Sequence, residues 1–285
     1  MCIEKIIIDL IHNNIIHSEP TEWEQLNGGT VSKLYLLNID GSKYVIKLND
    51  QRVIESEAIF LDRYKEVCYL PKLLFVEPSY NYLVYSYVNG STNYIEKNKK
   101  EILKDVVKGL LNNYKSVSNN IGWGWADQIT DSWQNFLINE VVEANKIIDG
   151  RLDREDHNFI SNLVKKIPKD TKPYLIHGDC GVHNFIFNDG QLSGVIDPAP
   201  VIGDPLYDLI YAFCSSPDDL TKETIDYAVS HLMIKREKEK LFLYENVIIG
   251  LYLRLGKCIK HHPNDYEEYM KAWYSWMNIT KRLII

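Results

Sequence analysis

The residues with the most chemical content lie in one short stretch, Tyr174-Leu175-Ile176-His177-Gly178-Asp179-Cys180-Gly181-Val182-His183-Asn184-Phe185-Ile186-Phe187, followed by Val195-Ile196-Asp197. Asp179 precedes Asn184 by five positions, and Asp197 lies 18 beyond Asp179. Phosphoryl transfer from ATP needs a carboxylate at the acceptor hydroxyl and oxygen ligands for the metal ions that neutralise the phosphates. An Asp and an Asn five apart span one loop, and an Asp on the next hairpin strand can face them, which together supply a base and a metal cage. Cys180 follows the proposed base directly, but a neighbouring carboxylate disfavours the thiolate, so it has no catalytic role in this reading.

These residues must be positioned by the elements around them. Ile3, Ile6, Ile7, Leu10, Ile11 and Ile15 recur at helical spacing and predict an amphipathic helix over 3–15. Val31–Asn38 and Lys43–Leu48 are β-favouring runs on either side of the turn Asn38-Ile39-Asp40-Gly41, a hairpin signature. A short helix is expected over Val53–Tyr64, then strands over Leu70–Phe75 and Tyr82–Tyr87, with Asn89-Gly90-Ser91 as a break. Further helices are expected near 99–117, 132–149, 155–167, 221–235, 240–262 and 264–282. Between 173 and 214 the helical period disappears, and Tyr174–His177, Asn184–Asn188 and Gly194–Asp197 read as short strands joined by polar loops. The outline is an α+β, bilobal architecture: a small β-rich N-lobe over 1–90 with a hinge near 84–90, and a larger, mostly helical C-lobe over 91–285.

His177-Gly178-Asp179-x4-Asn184, with Ile196-Asp197 and Gly203-Asp204-Pro205-x2-Asp208-Leu209, resembles the aminoglycoside phosphotransferase family. That resemblance implies a protein-kinase-like fold. It extends to the first lobe, where Gly28-Gly29-Thr30, with Ser32, resembles the phosphate loop and Tyr44-Val45-Ile46-Lys47 the lysine strand. Glu57-x3-Leu61 is similar to the helix that pairs that lysine, and Leu83–Gly90 to the hinge. Ser132-Trp133-x2-Phe136-Leu137 also looks like a family segment. The implied roles are Lys47, held by Glu57, on the α/β-phosphates of ATP or GTP; Asn184 and Asp197 on Mg²⁺; Asp179 as base; and the backbone of Ser86, Tyr87 and Val88 on adenine. Asp208 resembles a structural residue of the family. Gly28-Gly29 matches neither Gly-x-Gly-x-x-Gly nor a Walker A string, which argues against a P-loop enzyme.

The departures from protein kinases carry information. Pro198-Ala199 follows Asp197 where a protein kinase has Phe-Gly, Gly178 stands in place of Arg, and no Ala-Pro-Glu string occurs. A phosphorylated activation loop therefore has nothing to order it, and a small hydroxyl compound fits better than a protein substrate. Residues 173–221 hold seven acids and no Lys or Arg. Of the acids other than Asp179, Asp197 and Asp208, the three Asp204, Asp218 and Asp219 are candidates to line a negative cleft for a cationic acceptor, or are solvated loop charge. Trp123 and Trp125, in a Gly-Trp-Gly-Trp loop, are candidates for stacking on substrate. Tyr266, Tyr269, Trp273 and Trp276 could cage a quaternary ammonium, though their helical spacing reads first as core.

The expected activity is thus transfer of the γ-phosphate to a hydroxyl of a small cationic molecule such as an aminoglycoside, in antibiotic resistance or in metabolism. The alternatives are a kinase for choline, a macrolide, methylthioribose or homoserine, and a catalytically silent binding pseudokinase. Composition limits the other classes. The 285 residues carry 32 basic and 39 acidic side chains, a net charge of −7, which argues against a nucleic-acid partner. The apolar runs are too short for a bilayer, and the opening residues lack the pattern of a secretory signal. Five scattered cysteines without a Cys-x-x-Cys pair indicate reduced thiols and a cytoplasmic setting.

Overall fold

The computed structural model describes residues 2–26, 32–94, 98–168, 172–234 and 240–284. Helix α1 (Ile3–His12) buries Ile3, Ile6, Ile7 and Leu10. Their partners are Leu37, Ile39, Ile46, Tyr82 and Val84, on one face of an antiparallel five-stranded sheet. The strands run in the order β1 (Glu22–Leu26), β2 (Lys33–Ile39), β3 (Ser42–Leu48), β5 (Tyr82–Ser86), β4 (Leu73–Val76). The β2–β3 hairpin closes on Asp40-Gly41, both at positive φ (49° and 81°), as a two-residue turn of this chemistry requires. Alternation along β3 sends Ile46 toward α1, while Val45 and Lys47 take the opposite face. Strand β1 was not expected from the sequence, because Glu22-Trp23-Glu24-Gln25 is exposed on a sheet edge and carries no buried period.

Helix α2 (Gln51–Arg63) is capped by Asp50, whose carboxylate accepts the Arg52 N–H at 3.0 Å. It buries Ile54, Ala58 and Leu61, and Glu57 falls on that same face because it sits three residues after Ile54 and four before Leu61. The apolar residues of α2 are continuous with the core of the helical part, so the sheet and the helices share one packed interior on this side.

The C-terminal part contains α3 (Lys99–Gly109), α4 (Trp133–Ile148), α5 (Arg154–Lys166), α6 (Pro205–Cys214), α7 (Lys222–Ser230), α8 (Lys240–His261) and α9 (Tyr266–Ile284). Helix α3 stops at Gly109, short of the expected 117, and is followed by a single 3₁₀ turn, Leu111–Asn113. An antiparallel sheet runs β7 (Gln128–Thr130), β6 (Trp123–Trp125), β11 (Val201–Gly203), β8 (Tyr174–Ile176), so the Gly-Trp-Gly-Trp segment is a strand rather than a loop. Strands β9 (Phe185–Asn188) and β10 (Gln191–Val195) form a hairpin closed by Asp189-Gly190, again both at positive φ. Tyr269, Trp273 and Trp276 of α9 are fully buried, as core. Among the described residues no helix is long and apolar enough to cross a membrane.

Candidate active site

The loop after β8 is fixed from beneath by α6. Asp204 caps that helix by accepting the Leu206 N–H at 3.0 Å, and Pro205 occupies its first turn. One turn on, fully buried Asp208 accepts the N–H of His177 at 2.8 Å, that of Gly178 at 3.0 Å and the Tyr114 hydroxyl at 2.5 Å. Burial pushes the Asp208 carboxyl up to about 7 against the pull of these donors. Gly178 has φ +79°, and a Cβ there would lie 1.9 Å from the carbonyl oxygen of Ala199. The arginine that protein kinases carry at this position has no room, and the chain needs glycine. His177 donates from Nε2 to the Ile196 carbonyl at 3.1 Å, tying the loop to the residue before Asp197. Its burial lowers the ring pKa to about 4, so it stays neutral.

Asp179 is held at both carboxylate oxygens. Asn184 Nδ2 donates to its backbone oxygen and to Oδ2, each at 2.9 Å, and His183 Nε2 reaches Oδ2 at 3.1 Å. The Tyr211 hydroxyl, from α6, donates to Oδ1, and Lys257 Nζ, from α8, donates to that hydroxyl at 2.9 Å. Burial alone would raise the Asp179 pKa. His183, Lys257 and Tyr211 outweigh it and hold the group well below the usual carboxylate range. Asp179 is therefore an ionised acceptor at neutral pH.

On the opposite wall, Lys47 Nζ lies 2.5 Å from Glu57 Oε2 and also contacts Asp197 Oδ1. Burial pulls the Lys47 pKa down, but the two carboxylates together raise it above its ordinary value, so the ammonium is retained. Glu57 is pushed up to about 7 by burial, with Lys47 opposing. Asp197 adopts a left-handed φ of 57° and keeps 40% of its side chain exposed, so it faces the cleft as well as the lysine. The backbone N–H of Ile196 donates to the Asn184 carbonyl at 2.9 Å, which fixes the Asp197 segment beside Asn184.

Lys47, Asp179 and Asp197 line one open cleft of about 930 Å³, with Ser32, Asn49, Trp125, Asp127 and Gln128. The sequence had placed all of these but Asn49, Asp127 and Gln128 at the site. Ser32 accepts from Asn49 Nδ2 at 2.8 Å. Gly28, Gly29 and Thr30 lie outside the described residues. At the hinge, the N–H of Ser86 donates to the Lys72 carbonyl (2.9 Å) and that of Tyr87 to the Lys43 carbonyl (3.2 Å).

Four substrate expectations are corrected. Trp123 is buried and packs on Trp133 at 6.2 Å, in the core rather than the cleft. Asp204 is the α6 cap. Asp218 accepts the Tyr94 hydroxyl at 2.8 Å and pairs with buried Lys99 at 3.7 Å, and Asp219 accepts the Thr224 hydroxyl at 2.7 Å. Asp218 thus finds in Lys99 of α3 the basic partner that its own segment lacks, while Asp204 is taken by a backbone amide and Asp219 by threonine hydroxyls. Trp125 does reach the cleft, with Nε1 anchored on Glu140 at 3.2 Å.

The oxygen donors of Asn184 and Asp197 suit a hard cation. Among the described residues there is no group of three or more His, Cys, Asp or Glu that could hold a metal by itself, so such an ion would need ligands beyond the protein's own, as phosphates provide.

Residues 22–232 match the model of the phosphotransferase enzyme family. No curated protein matches the chain. Among solved structures, aminoglycoside phosphotransferase APH(4)-Ia aligns at 14% identity and a TM-score of 0.65, covering 98% of this chain and 99% of that one. A thermostable mutant of the same enzyme, in a ternary complex with AMP-PNP and hygromycin B, aligns at 17% identity and a TM-score of 0.61, covering 97% and 98%. The GDP and kanamycin complex of APH(2″)-IIIa aligns at 14% and 0.63, covering 95% and 98%. At such identities these likenesses establish a shared kinase-like fold.

Proposed function

The chain belongs to the phosphotransferase enzyme family, and from that premise we propose that it moves the γ-phosphate of ATP or GTP to a hydroxyl of a small, cationic acceptor of the aminoglycoside type. The observation that supports this most directly is a charged lysine shared between Glu57 and Asp197, in the same cleft as an ionised Asp179 that is bonded to Asn184. A pure binding protein has no need of such a base, and a structural ion pair has no need to face a cleft.

In this reading Lys47, kept in place by Glu57, binds the α- and β-phosphates. The hinge segment Ser86–Val88 takes the base. Asn184 and Asp197 would hold Mg²⁺, which would neutralise phosphate charge. Asp179 accepts a hydrogen bond from the acceptor hydroxyl and takes its proton as that oxygen bonds to the γ-phosphorus and the bond from this phosphorus to the β,γ-bridging oxygen breaks, leaving ADP or GDP. A carboxylate with so low a pKa is a weak base, so its contribution is chiefly orientation and late proton acceptance.

The charge of the cleft supports a cationic acceptor. Asp127, Asp179 and Asp197 line it, against Lys47 as the one cation among its described lining residues. Choline is disfavoured because the aromatic residues Tyr269, Trp273 and Trp276 are spent in the core. The reduced state of the cysteines, two exposed and three buried with no disulfide among them, is consistent with a cytoplasmic protein.

The test is ADP or GDP release from the Mg²⁺ nucleotide with a panel of aminoglycosides, macrolides, choline, methylthioribose and homoserine, with mass spectrometry of the products. A phosphorylated aminoglycoside is expected. Turnover restricted to neutral acceptors would overturn the acceptor class, and no turnover of any acceptor would overturn the transferase.

A further inference from the structure

We infer that Tyr211 and Lys257 form a positioning relay for Asp179, reaching it from two helices outside the catalytic loop. The inference rests on Asp179 being the base proposed above. Oδ2 is already bonded within the loop, by Asn184 at 2.9 Å and His183 at 3.1 Å. The Tyr211 hydroxyl holds the other oxygen, so the carboxylate is pinned against rotation about its Cβ–Cγ bond. One lone pair of Oδ1 then remains for an acceptor hydroxyl, in a fixed direction.

Lys257 has two effects on this arrangement. Its ammonium donates to the phenol oxygen at 2.9 Å, which polarises the O–H toward Asp179 and strengthens that bond. It also lies over the Tyr211 ring, 4.5 Å from the centroid, which fixes the plane of the ring. The phenol cannot turn to donate to the lysine, because an ammonium accepts no hydrogen bond, so Tyr211 has one direction in which to donate.

The surroundings leave Lys257 to this task. It lines a pocket between α4, α6 and α8, together with Glu140, Tyr207, Tyr211 and Arg254. Glu140 is engaged by Trp125 Nε1 at 3.2 Å, and Arg254 Nε is engaged by the Tyr269 hydroxyl at 2.9 Å. No carboxylate forms an ion pair with Lys257 among the described residues, although an interior ammonium calls for one. Burial lowers the Lys257 pKa, and the charges of Asp179, reached through Tyr211, and of Glu140 oppose that pull.

The experiment compares wild type with Tyr211→Phe, Lys257→Met and Lys257→Arg. Each is measured for ADP release from Mg-ATP with kanamycin and with water alone, and wild type and Tyr211→Phe are also crystallised. Tyr211→Phe and Lys257→Met are expected to lower kcat on the order of 10- to 100-fold with KM for Mg-ATP unchanged, and Lys257→Arg is expected to recover most of the loss. In the Tyr211→Phe crystal the Asp179 carboxylate should occupy more than one rotamer. A single unchanged rotamer there would overturn the relay. So would a rise in KM for kanamycin with kcat intact in Lys257→Met, which would make the lysine an acceptor-binding group. If the wild type releases no ADP with kanamycin, kanamycin is not its acceptor, the transferase reading is decided by the wider acceptor panel, and the crystals decide the relay by themselves.

Discussion

Asp179, in the loop after β8, and Asp197, beyond β10, give opposite tests of charge. Asp179 is ionised and, in the proposed reaction, acts on the acceptor, so Asp179→Asn should lower kcat by at least ~10²-fold while nucleotide affinity, read by calorimetry, stays nearly constant. Asp197→Ala should do the reverse and abolish Mg²⁺-dependent nucleotide binding, because its carboxylate is the one that faces both Lys47 and the cleft. His177 gives a pH test. Its folded pKa is near 4 against an unfolded value near 6.5, so the unfolded chain takes up the proton first as pH falls. The stability that the neutral ring contributes is complete above about 6.5 and is lost toward 4, by roughly 3 kcal/mol in total. Glu57 and Asp208, both raised to about 7, work in the opposite direction across that window, since the folded state protonates them first. The measurement is therefore the stability difference between wild type and His177→Asn, which should narrow from pH 7 to pH 4. A constant difference would show that the ring is not held neutral.

Among the elements, α6 does the most to build the site: its cap is Asp204, its first turn holds the loop through Asp208, and its second supplies Tyr211. The sequence signals this helix poorly. Pro205, Leu206, Asp208, Leu209, Ile210, Ala212, Phe213 and Cys214 are all buried, so the helix has no solvent face and shows no period of polar and apolar residues. The loop motifs were legible for the contrary reason. Asp179, Asn184 and Asp197 are close in the chain, and Lys47 and Glu57 lie on a strand and the helix that follows it. Hairpin turns at Asp40-Gly41 and Asp189-Gly190 were equally local. Tyr211 and Lys257 join Asp179 through tertiary packing alone, and no spacing announces them. The sequence also read Asp204 as a substrate contact, and that difference can be measured. Asp204→Ala should cost about 1 kcal/mol, lowering Tm by about 2 °C, with KM for a cationic acceptor unchanged. A raised KM at unchanged Tm would return Asp204 to the acceptor.

At the scale of the whole molecule, the acidic stretch over 173–221 predicted a negative cleft, and the fold redistributes that charge. Lys99 from α3 answers Asp218, threonine hydroxyls answer Asp219, and the α6 amides and the buried Tyr114 take Asp204 and Asp208. The cleft nevertheless remains acidic, because the β6–β7 turn brings in Asp127 from a part of the chain that composition did not single out. An amino group placed near these carboxylates gains attraction that water and salt screen only in part. KM for an aminoglycoside should therefore rise with ionic strength. Asp127→Asn should raise it severalfold at low salt and flatten the salt dependence, with kcat held within about twofold, because Asp127 contributes binding common to ground and transition states. A KM that ignores both salt and the Asp127→Asn substitution would mean that the acceptor is read by shape and hydrogen bonding rather than by charge. The transferase assignment, which stands on Lys47, Asp179, Asn184 and Asp197, does not depend on that result.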